Sequence, residues 1–408
     1  MLFRSVSSAT AKAMNLDQGS KIEIEVGGRK AIFPVFIQPG MADSTVQIEL
    51  GYGRAHAGAV GSGVGHDAGQ LLTGVREQGD WIFSSATVKK YWGNYELVST
   101  QEHGGFNIGS SPMLAELTKD AHLRRGIVHQ STVNEYKHDP NVVRSKMEYK
   151  RSHVKSLYTE EHKYEGMKWG MAIDLNRCTG CNECIVACSA ENNVPVVGKE
   201  QVKRNREMHW IRIDRYYSGT IEEPITALQP MLCQQCDNAP CENVCPVAAT
   251  THSPDGLNGM AYNRCVGTRY CAANCPYKVR RFNFLNFRRH LSDSQYEKPV
   301  AILANNPEVT VRSRGVMEKC TFCVQRLREG KQIAVQDKRQ FKGTDVTTAC
   351  QDACNANAIV FGDSNDIQDP VRKLQDNNLE YKILEELMVR PNITYLAKLR
   401  NTNEEGKS

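Results

Sequence analysis

Apolar and polar residues alternate over much of the first fifty positions. Lys21-Ile22-Glu23-Ile24-Glu25-Val26 has period two, which sets Ile22, Ile24 and Val26 on one face of a strand. Gly27-Gly28 supplies a turn and Arg29–Ile37 returns as a second strand, in which Pro34 marks an edge or a bulge. Pro39-Gly40 turns the chain again, and Val46-Gln47-Ile48-Glu49-Leu50 alternates once more. The pattern predicts a small barrel or sandwich within residues 1–110.

Periodicity then fades. Residues 51–69 are rich in glycine, including Gly53, Gly58, Gly61, Gly63 and Gly65, which permit positive φ and close backbone approach. No strand–GxGxxG–helix unit surrounds them, so a dinucleotide fingerprint is excluded. The segment reads as a long structured loop packed against a neighbour, with His56 and His66 as surface or packing residues. Residues 111–168 are polar, with His129, His138, His153 and His162 outside any metal-ligand spacing and Tyr149, Tyr158 and Tyr164 between them. They predict an extended connector.

A third regime begins at Trp169-Gly170-Met171-Ala172-Ile173-Asp174, a short strand that leads into Cys178. Gly259-Met260-Ala261-Tyr262-Asn263 precedes Cys265 in the same way, and Gly315-Val316-Met317-Glu318-Lys319 precedes Cys320. Strand, cysteine loop and short helix therefore recur as an internal repeat. Near the end, Asn378 caps a predicted helix whose apolar face is Leu379, Ile383, Leu384, Leu387 and Met388, stopped by Pro391. That helix is expected to act as a clamp, followed by a frayed polar tail.

All fifteen cysteines lie between Cys178 and Cys354. They form four groups: Cys178, Cys181, Cys184 and Cys188; Cys233, Cys236, Cys241 and Cys245; Cys265, Cys271 and Cys275; and Cys320, Cys323, Cys350 and Cys354. Iron–sulfur clusters need soft anionic ligands converging on a small inorganic core, and a run spaced two, two and three wraps one cluster while its last thiol reaches another. The first group is such a run, although Cys188 is followed by serine; Cys245-Pro246 and Cys275-Pro276 supply the proline. Structural zinc prefers two ligands from each of two CxxC knuckles, and disulfides would leave one thiol over from an odd total. No CxxCH motif for c-type haem occurs. The basic stretch Lys278-Val279-Arg280-Arg281 either offsets cluster charge or forms a docking surface.

Composition adds limits. The 408 residues allow about two or three domains. Hydrophobic content of 40%, charged content of 24% and a net charge of +5 describe a folded chain and give no argument for nucleic acid. No apolar run approaches the roughly eighteen residues of a membrane span, and Met1-Leu2-Phe3-Arg4 does not open a signal peptide. The protein is then cytoplasmic, or its export signal lies on a longer precursor or a partner.

The cysteine groups resemble the four-cluster ferredoxin-like subunit of the molybdopterin oxidoreductase superfamily. The matching residues are Cys178-Thr179-Gly180-Cys181, Cys233-Gln234-Gln235-Cys236-Asp237-Asn238-Ala239-Pro240-Cys241, Arg269-Tyr270-Cys271 and Met317-Glu318-Lys319-Cys320-Thr321-Phe322-Cys323. Residues 1–75 resemble the C-terminal, dinucleotide-binding-type β domain of the molybdopterin catalytic subunit. That fusion resembles the iron–sulfur subunit of alternative complex III, a membrane quinol:cytochrome c or high-potential-protein oxidoreductase. The resemblance implies an α+β fold: tandem bacterial-ferredoxin-like modules with four iron–sulfur clusters, preceded by a small β-barrel-like domain. It divides the chain into a β domain at 1–110, a connector at 111–168, a four-cluster domain at 169–360 and a helical clamp and tail at 361–408. Since only the end of the large domain is recognised, a split gene product or a partial chain is expected.

The same resemblance implies the ligand sets. One [4Fe–4S] cluster takes Cys178, Cys181, Cys184 and Cys354; a second takes Cys188, Cys320, Cys323 and Cys350; a third takes Cys233, Cys236, Cys241 and Cys275. The fourth has only Cys245, Cys265 and Cys271, with Thr268 where the family places a cysteine. A threonine hydroxyl is a poor iron ligand, so three thiolates point to a [3Fe–4S] cluster, or else to a labile [4Fe–4S] cluster with an oxygen ligand. Implied partners are an NrfD-like integral membrane quinol-binding subunit, multihaem and monohaem c-type cytochromes and the upstream molybdopterin-oxidoreductase-like region, at the periplasmic face of the bacterial inner membrane. No molybdopterin and no catalytic residues are expected in this chain. The rival readings are the electron-transfer subunit of a polysulfide- or DMSO-reductase-type molybdoenzyme, and a mainly structural iron–sulfur scaffold.

Overall fold

The computed structural model describes residues 4–72, 85–100, 121–153, 162–287 and 303–401. Tyr158 and the polar end at 402–408 lie outside them. The chain forms two compact units. The first takes residues up to Glu102 with Val196–Glu207 and Tyr217–Thr226; the second takes His103–Pro195, Met208–Tyr216 and the chain from Ala227 onward.

In the first unit, strands β1 (Arg4–Val6), β2 (Ser20–Val26), β3 (Arg29–Ile37) and β4 (Thr87–Asn94) form a sheet of order β1-β3-β2-β4. The period-two pattern works as physics requires: Ile22, Ile24 and Val26 are buried while Glu23 and Glu25 face outward toward Lys30. Gly27 and Gly28 both have positive φ, as a tight two-residue hairpin turn demands. Strand β3 lies between β1 and β2, and Pro34 pairs with Lys21 of β2 in a register without a shift, so the expected edge or bulge is not found there among the described residues. The sheet is open among the described residues, and the helix Ser8–Ala13, capped by Ser7 Oγ accepting from Thr10 N at 3.0 Å, contributes Ala11 to its core.

Two sequence expectations change here. Residues 46–50 form no ladder; they make a single bridge between Gln47 and Ser5, and Val46 and Ile48 still pack on the core. The glycine-rich segment contains a helical turn at Gly58–Gly61 and a 3-10 turn at Ala68–Leu71, whose Ala68 and Leu71 enter the core. Gly53 is required there: its φ is +72°, and a Cβ would stand 2.2 Å from Asp67 N.

In the second unit the strands are β5 (Gln130–Thr132), β6 (Trp169–Asp174), β7 (Arg212–Gly219), β8 (Pro224–Met231), β9 (Thr250–His252), β10 (Asn258–Met260), β11 (Arg281–Phe282), β12 (Met317–Glu318), β13 (Ile359–Asp363), β14 (Glu380–Tyr381), β15 (Ile393–Leu396) and β16 (Lys398–Arg400). The β7–β8 hairpin ends in residues that belong to the first unit. The central sheet has order β13-β6-β15-β14, with β6 parallel to β15 and antiparallel to β13. Strand β6 is buried on both faces, which is why it reads as an apolar run and not as an alternation. Trp169 stacks on Phe361 with centroids 5.0 Å apart, and Phe322 meets Phe361 edge-on at 5.1 Å.

The expected extended connector is instead structured where it is described. Thr132 and Glu135 form a capping box at the helix Val133–His138, and the helix Val142–His153 buries Val143 and Met147, four residues apart on one face. Strand β5 pairs in parallel with β16. The expected C-terminal helix is also overturned. Glu380–Tyr381 pair with β15, Leu379 and Ile383 are buried to either side of them, and Leu384, Met388 and Arg390 take left-handed backbone that no α-helix accepts. A sheet edge was available, and its ladder outweighs intrinsic propensity.

Candidate iron–sulfur centres

The cysteine loops share one local device. A left-handed residue stands immediately before the helix that closes each of three loops: Asn182 before Glu183–Glu191, Arg269 before Tyr270–Asn274 and Cys323 before Val324–Gln336. The left-handed residue reverses the chain sharply, which wraps the loop's thiols inward before the helix starts. Only asparagine among the three tolerates that geometry cheaply; for Arg269 and Cys323 it costs about 1 kcal/mol each.

Helical spacing then distributes thiols between neighbouring groups. Cys184 and Cys188 lie four apart on one helix, Cys350 lies in the facing helix Ala349–Asp352, and Cys354 stands two residues beyond its end. Cys354 stands with Cys178, Cys181 and Cys184, whereas Cys188 stands with Cys320, Cys323 and Cys350. The second half repeats the arrangement. Cys233, Cys236, Cys241 and Cys275 line one hollow; Cys245, Cys265 and Cys271 line another, together with Thr268.

The four groups follow one another. Cys350 lies near Cys184, linking the first group to the second, and Cys320 lies near Cys233, linking the second to the third. Arg280 lies near both Cys241 and Cys271, linking the third to the fourth. The inner two groups are wholly buried. The outer two reach the surface: Cys181 is exposed, Cys245 and Cys265 are half-buried, and Val266 and Tyr270 beside them are 64% and 56% exposed. All fifteen thiols are free of disulfides. Among the described residues no three His, Cys, Asp or Glu converge closely enough for a single metal ion. The thiols stand around hollows, a donor set that fits multi-iron clusters.

Two profiles described as 4Fe-4S dicluster domain match residues 177–249 and 225–290. The iron–sulfur cluster-binding subunit of menaquinone reductase from Nitratidesulfovibrio vulgaris is 36% identical over 57% of this chain and 89% of its own length. Iron–sulfur subunit 1 of the Hdr-like menaquinol oxidoreductase of Archaeoglobus fulgidus is 34% identical over 60% and 88%. A polysulfide reductase polypeptide of Wolinella succinogenes is 28% identical over 57% and 96%. The protein belongs to the 4Fe-4S dicluster family of oxidoreductase iron–sulfur subunits.

In this iron–sulfur subunit, burial is the main force on the thiols. It pushes Cys184 and Cys350 up to about 12 and Cys241 up to about 11, and thiol neighbours add to the rise. Such thiols ionise only when a cation shares the space, which is what iron supplies. Cys245 differs: burial acts upward on it too, but backbone N–H groups of Val247, Ala249 and Thr250 hold it below the usual thiol range. Ala249 N lies 3.2 Å from Cys245 Sγ, and Ala358 N lies 3.2 Å from Cys354 Sγ, the same turn in both halves.

Polar side chains that sequence reasoning missed complete the surroundings of the thiols. Asn192 Nδ2 faces Cys188 Sγ and Cys323 Sγ at 3.7 Å each, and Asn258 Nδ2 faces Cys241 Sγ at 3.9 Å. Arg312 and Glu318 form a fully buried ion pair at 2.7 Å. Their signal was faint: Asn192, Asn258 and Arg312 stand at positions no motif marks, and Glu318 lies within the matched stretch before Cys320 without being singled out. Of the basic stretch, Arg280 is buried beside the thiols while Lys278 is exposed.

Proposed function

We propose that this chain is the electron-transfer subunit of a membrane quinol oxidoreductase of the alternative complex III type. The observation that carries the reading is the linear succession of four cysteine groups, buried in the middle and reaching the surface at both ends. In this proposal the sets Cys178/Cys181/Cys184/Cys354, Cys188/Cys320/Cys323/Cys350 and Cys233/Cys236/Cys241/Cys275 each hold a [4Fe–4S] cluster. Cys245, Cys265 and Cys271 hold a [3Fe–4S] cluster, because Thr268 lines that hollow in place of a fourth thiol. Clusters so held accept and donate single electrons by hopping, while the protein excludes water and tunes potential through N–H donors and buried charge. No helix among the described residues is long and apolar enough to cross a membrane, so quinol oxidation is assigned to an NrfD-like partner and electron exit to c-type cytochromes at the periplasmic face.

The likeness to the polysulfide reductase polypeptide favours a second reading, in which the same wire serves a molybdenum-containing catalytic subunit. Metal analysis and EPR of the intact complex separate the two. About fifteen iron atoms per subunit, no molybdenum and haem c in partner chains support the first. Stoichiometric molybdenum sinks it in favour of the second.

A further inference from the structure

Arg280 is a cation with no carboxylate. It is 5% exposed, and among the described residues none of its contacts is an ion pair. Its two terminal nitrogens face different ways. Nη2 donates to Asn258 Oδ1 at 2.9 Å, and Asn258 and Arg280 both line the hollow of Cys233, Cys236, Cys241 and Cys275. Nη1 donates to Thr250 Oγ1 at 3.1 Å, and Thr250 lines the hollow of Cys245, Cys265 and Cys271 with Met260. Lys319 Nζ donates to the Asn258 backbone carbonyl, and Asn258 Nδ2 donates to Glu242 Oε1 while facing Cys241 Sγ at 3.9 Å. The thiols nearest the guanidinium are Cys241, Cys233, Cys271 and Cys275, drawn from both hollows, and they become anionic on ligating iron.

A buried arginine is costly unless something negative accompanies it, since its charge cannot be shed. Thr250 and Asn258 are neutral and would be served equally by a neutral donor such as glutamine. What needs the charge is the pair of thiolate groups, each of which gains one more negative charge when an electron arrives. We propose that Arg280 is a shared potential-setting residue, holding the reduction potentials of the third and fourth centres up together so that an electron crosses between them without a large step. The proposal rests on the cluster reading given above. It balances simply: one electron enters a centre and no proton or bond change is required of Arg280.

The test is EPR-monitored redox titration of the purified intact complex, with signals assigned through Cys236→Ser and Cys271→Ser. Arg280→Gln should lower both potentials by at least tenfold in the reduction equilibrium constant, about 59 mV for one electron, and leave the other two centres unmoved. Arg280→Lys, which keeps the charge and loses the fork, should stay within threefold of the unmodified protein. Should Arg280→Gln fail to retain iron at these two groups, Arg280→Lys decides alone: unaltered potentials support the proposal and lowered ones overturn it. Unmoved potentials in Arg280→Gln, or an equal shift in all four centres, overturn it as well. An unmodified complex without iron–sulfur signals would remove the cluster reading itself, a result distinct from intact signals whose potentials ignore Arg280.

Discussion

Removing the Glu318 charge should loosen the second cysteine group more than any surface change could. The carboxylate accepts from Arg312 Nη2 at 2.7 Å and from Asn283 Nδ2 at 3.2 Å, and both ionic side chains are inaccessible to water. Arg312 also donates to the carbonyls of Asn192 at 2.7 Å, Asn193 at 2.9 Å and Thr310 at 2.9 Å. The pair therefore ties the turn that follows Cys188 to the strand that precedes Cys320. Glu318→Gln keeps the shape and leaves a guanidinium buried without its counter-charge. Breaking one partner of such a pair costs about 3–5 kcal/mol; the three carbonyl bonds that Arg312 keeps place this case near 3, on the order of a hundredfold in the folding equilibrium. Replacing both partners by apolar residues, Arg312→Met with Glu318→Leu, should cost far less, within about 1 kcal/mol of the unmodified protein. Because cluster loss makes unfolding irreversible, the assay is the rate of bleaching of visible absorbance in guanidinium under argon. Glu318→Gln should bleach up to a hundredfold faster and the double variant near the original rate. A double variant as fast as the single, or a single as slow as the original, would refute the argument.

Other outcomes follow from the same geometry. Thr268→Cys places a fourth thiol in the hollow of Cys245, Cys265 and Cys271, so iron should rise from about fifteen to about sixteen atoms and the near-isotropic EPR signal of an oxidised three-iron centre should vanish. Persistence of that signal would reject the ligand assignment. Trp169→Ala empties a fully buried site stacked on Phe361 and removes the indole Nε1 bond to Asp255 Oδ2 at 3.0 Å, leaving that oxygen to Lys331; the cost should be about 3–5 kcal/mol, read from the same bleaching rates. Asp237 gives a pH dependence. Burial alone would raise its carboxyl, but Lys168 at 2.8 Å, with Asn392 and Tyr164, holds it below the ordinary 3.8. A depressed carboxyl stabilises the fold above the unfolded value, and that contribution is lost as pH falls through the folded value. Lys168→Met should therefore destabilise clearly at pH 7, with the difference shrinking toward pH 3; a pH-independent difference would show that only packing was lost.

Much of this chain was legible because its chemistry is local. The β2–β3 hairpin follows from period two and two glycines, and the four runs of cysteines follow from spacing, whereas which thiol joins which centre came from the family resemblance. The fate of Leu379–Met388 was not legible. Apolar residues at 379, 383, 384, 387 and 388 satisfy a helix, and only the free edge of β15 drew Glu380–Tyr381 into a strand instead. The connector failed for the converse reason: Val143 and Met147 are a sparse apolar stripe that becomes helix because the second unit gives it a surface to cover. Sequence by itself determined that fifteen thiols in four groups must share iron–sulfur chemistry, because thiolate identity and short-range spacing are properties of the chain alone. Tertiary structure decided which buried charges accompany them. Arg280 reaches Asn258 across 22 residues of chain, Lys319 reaches Asn258 across 61 and Arg312 reaches Asn192 across 120, and the energy of a buried charge depends on what the fold puts beside it.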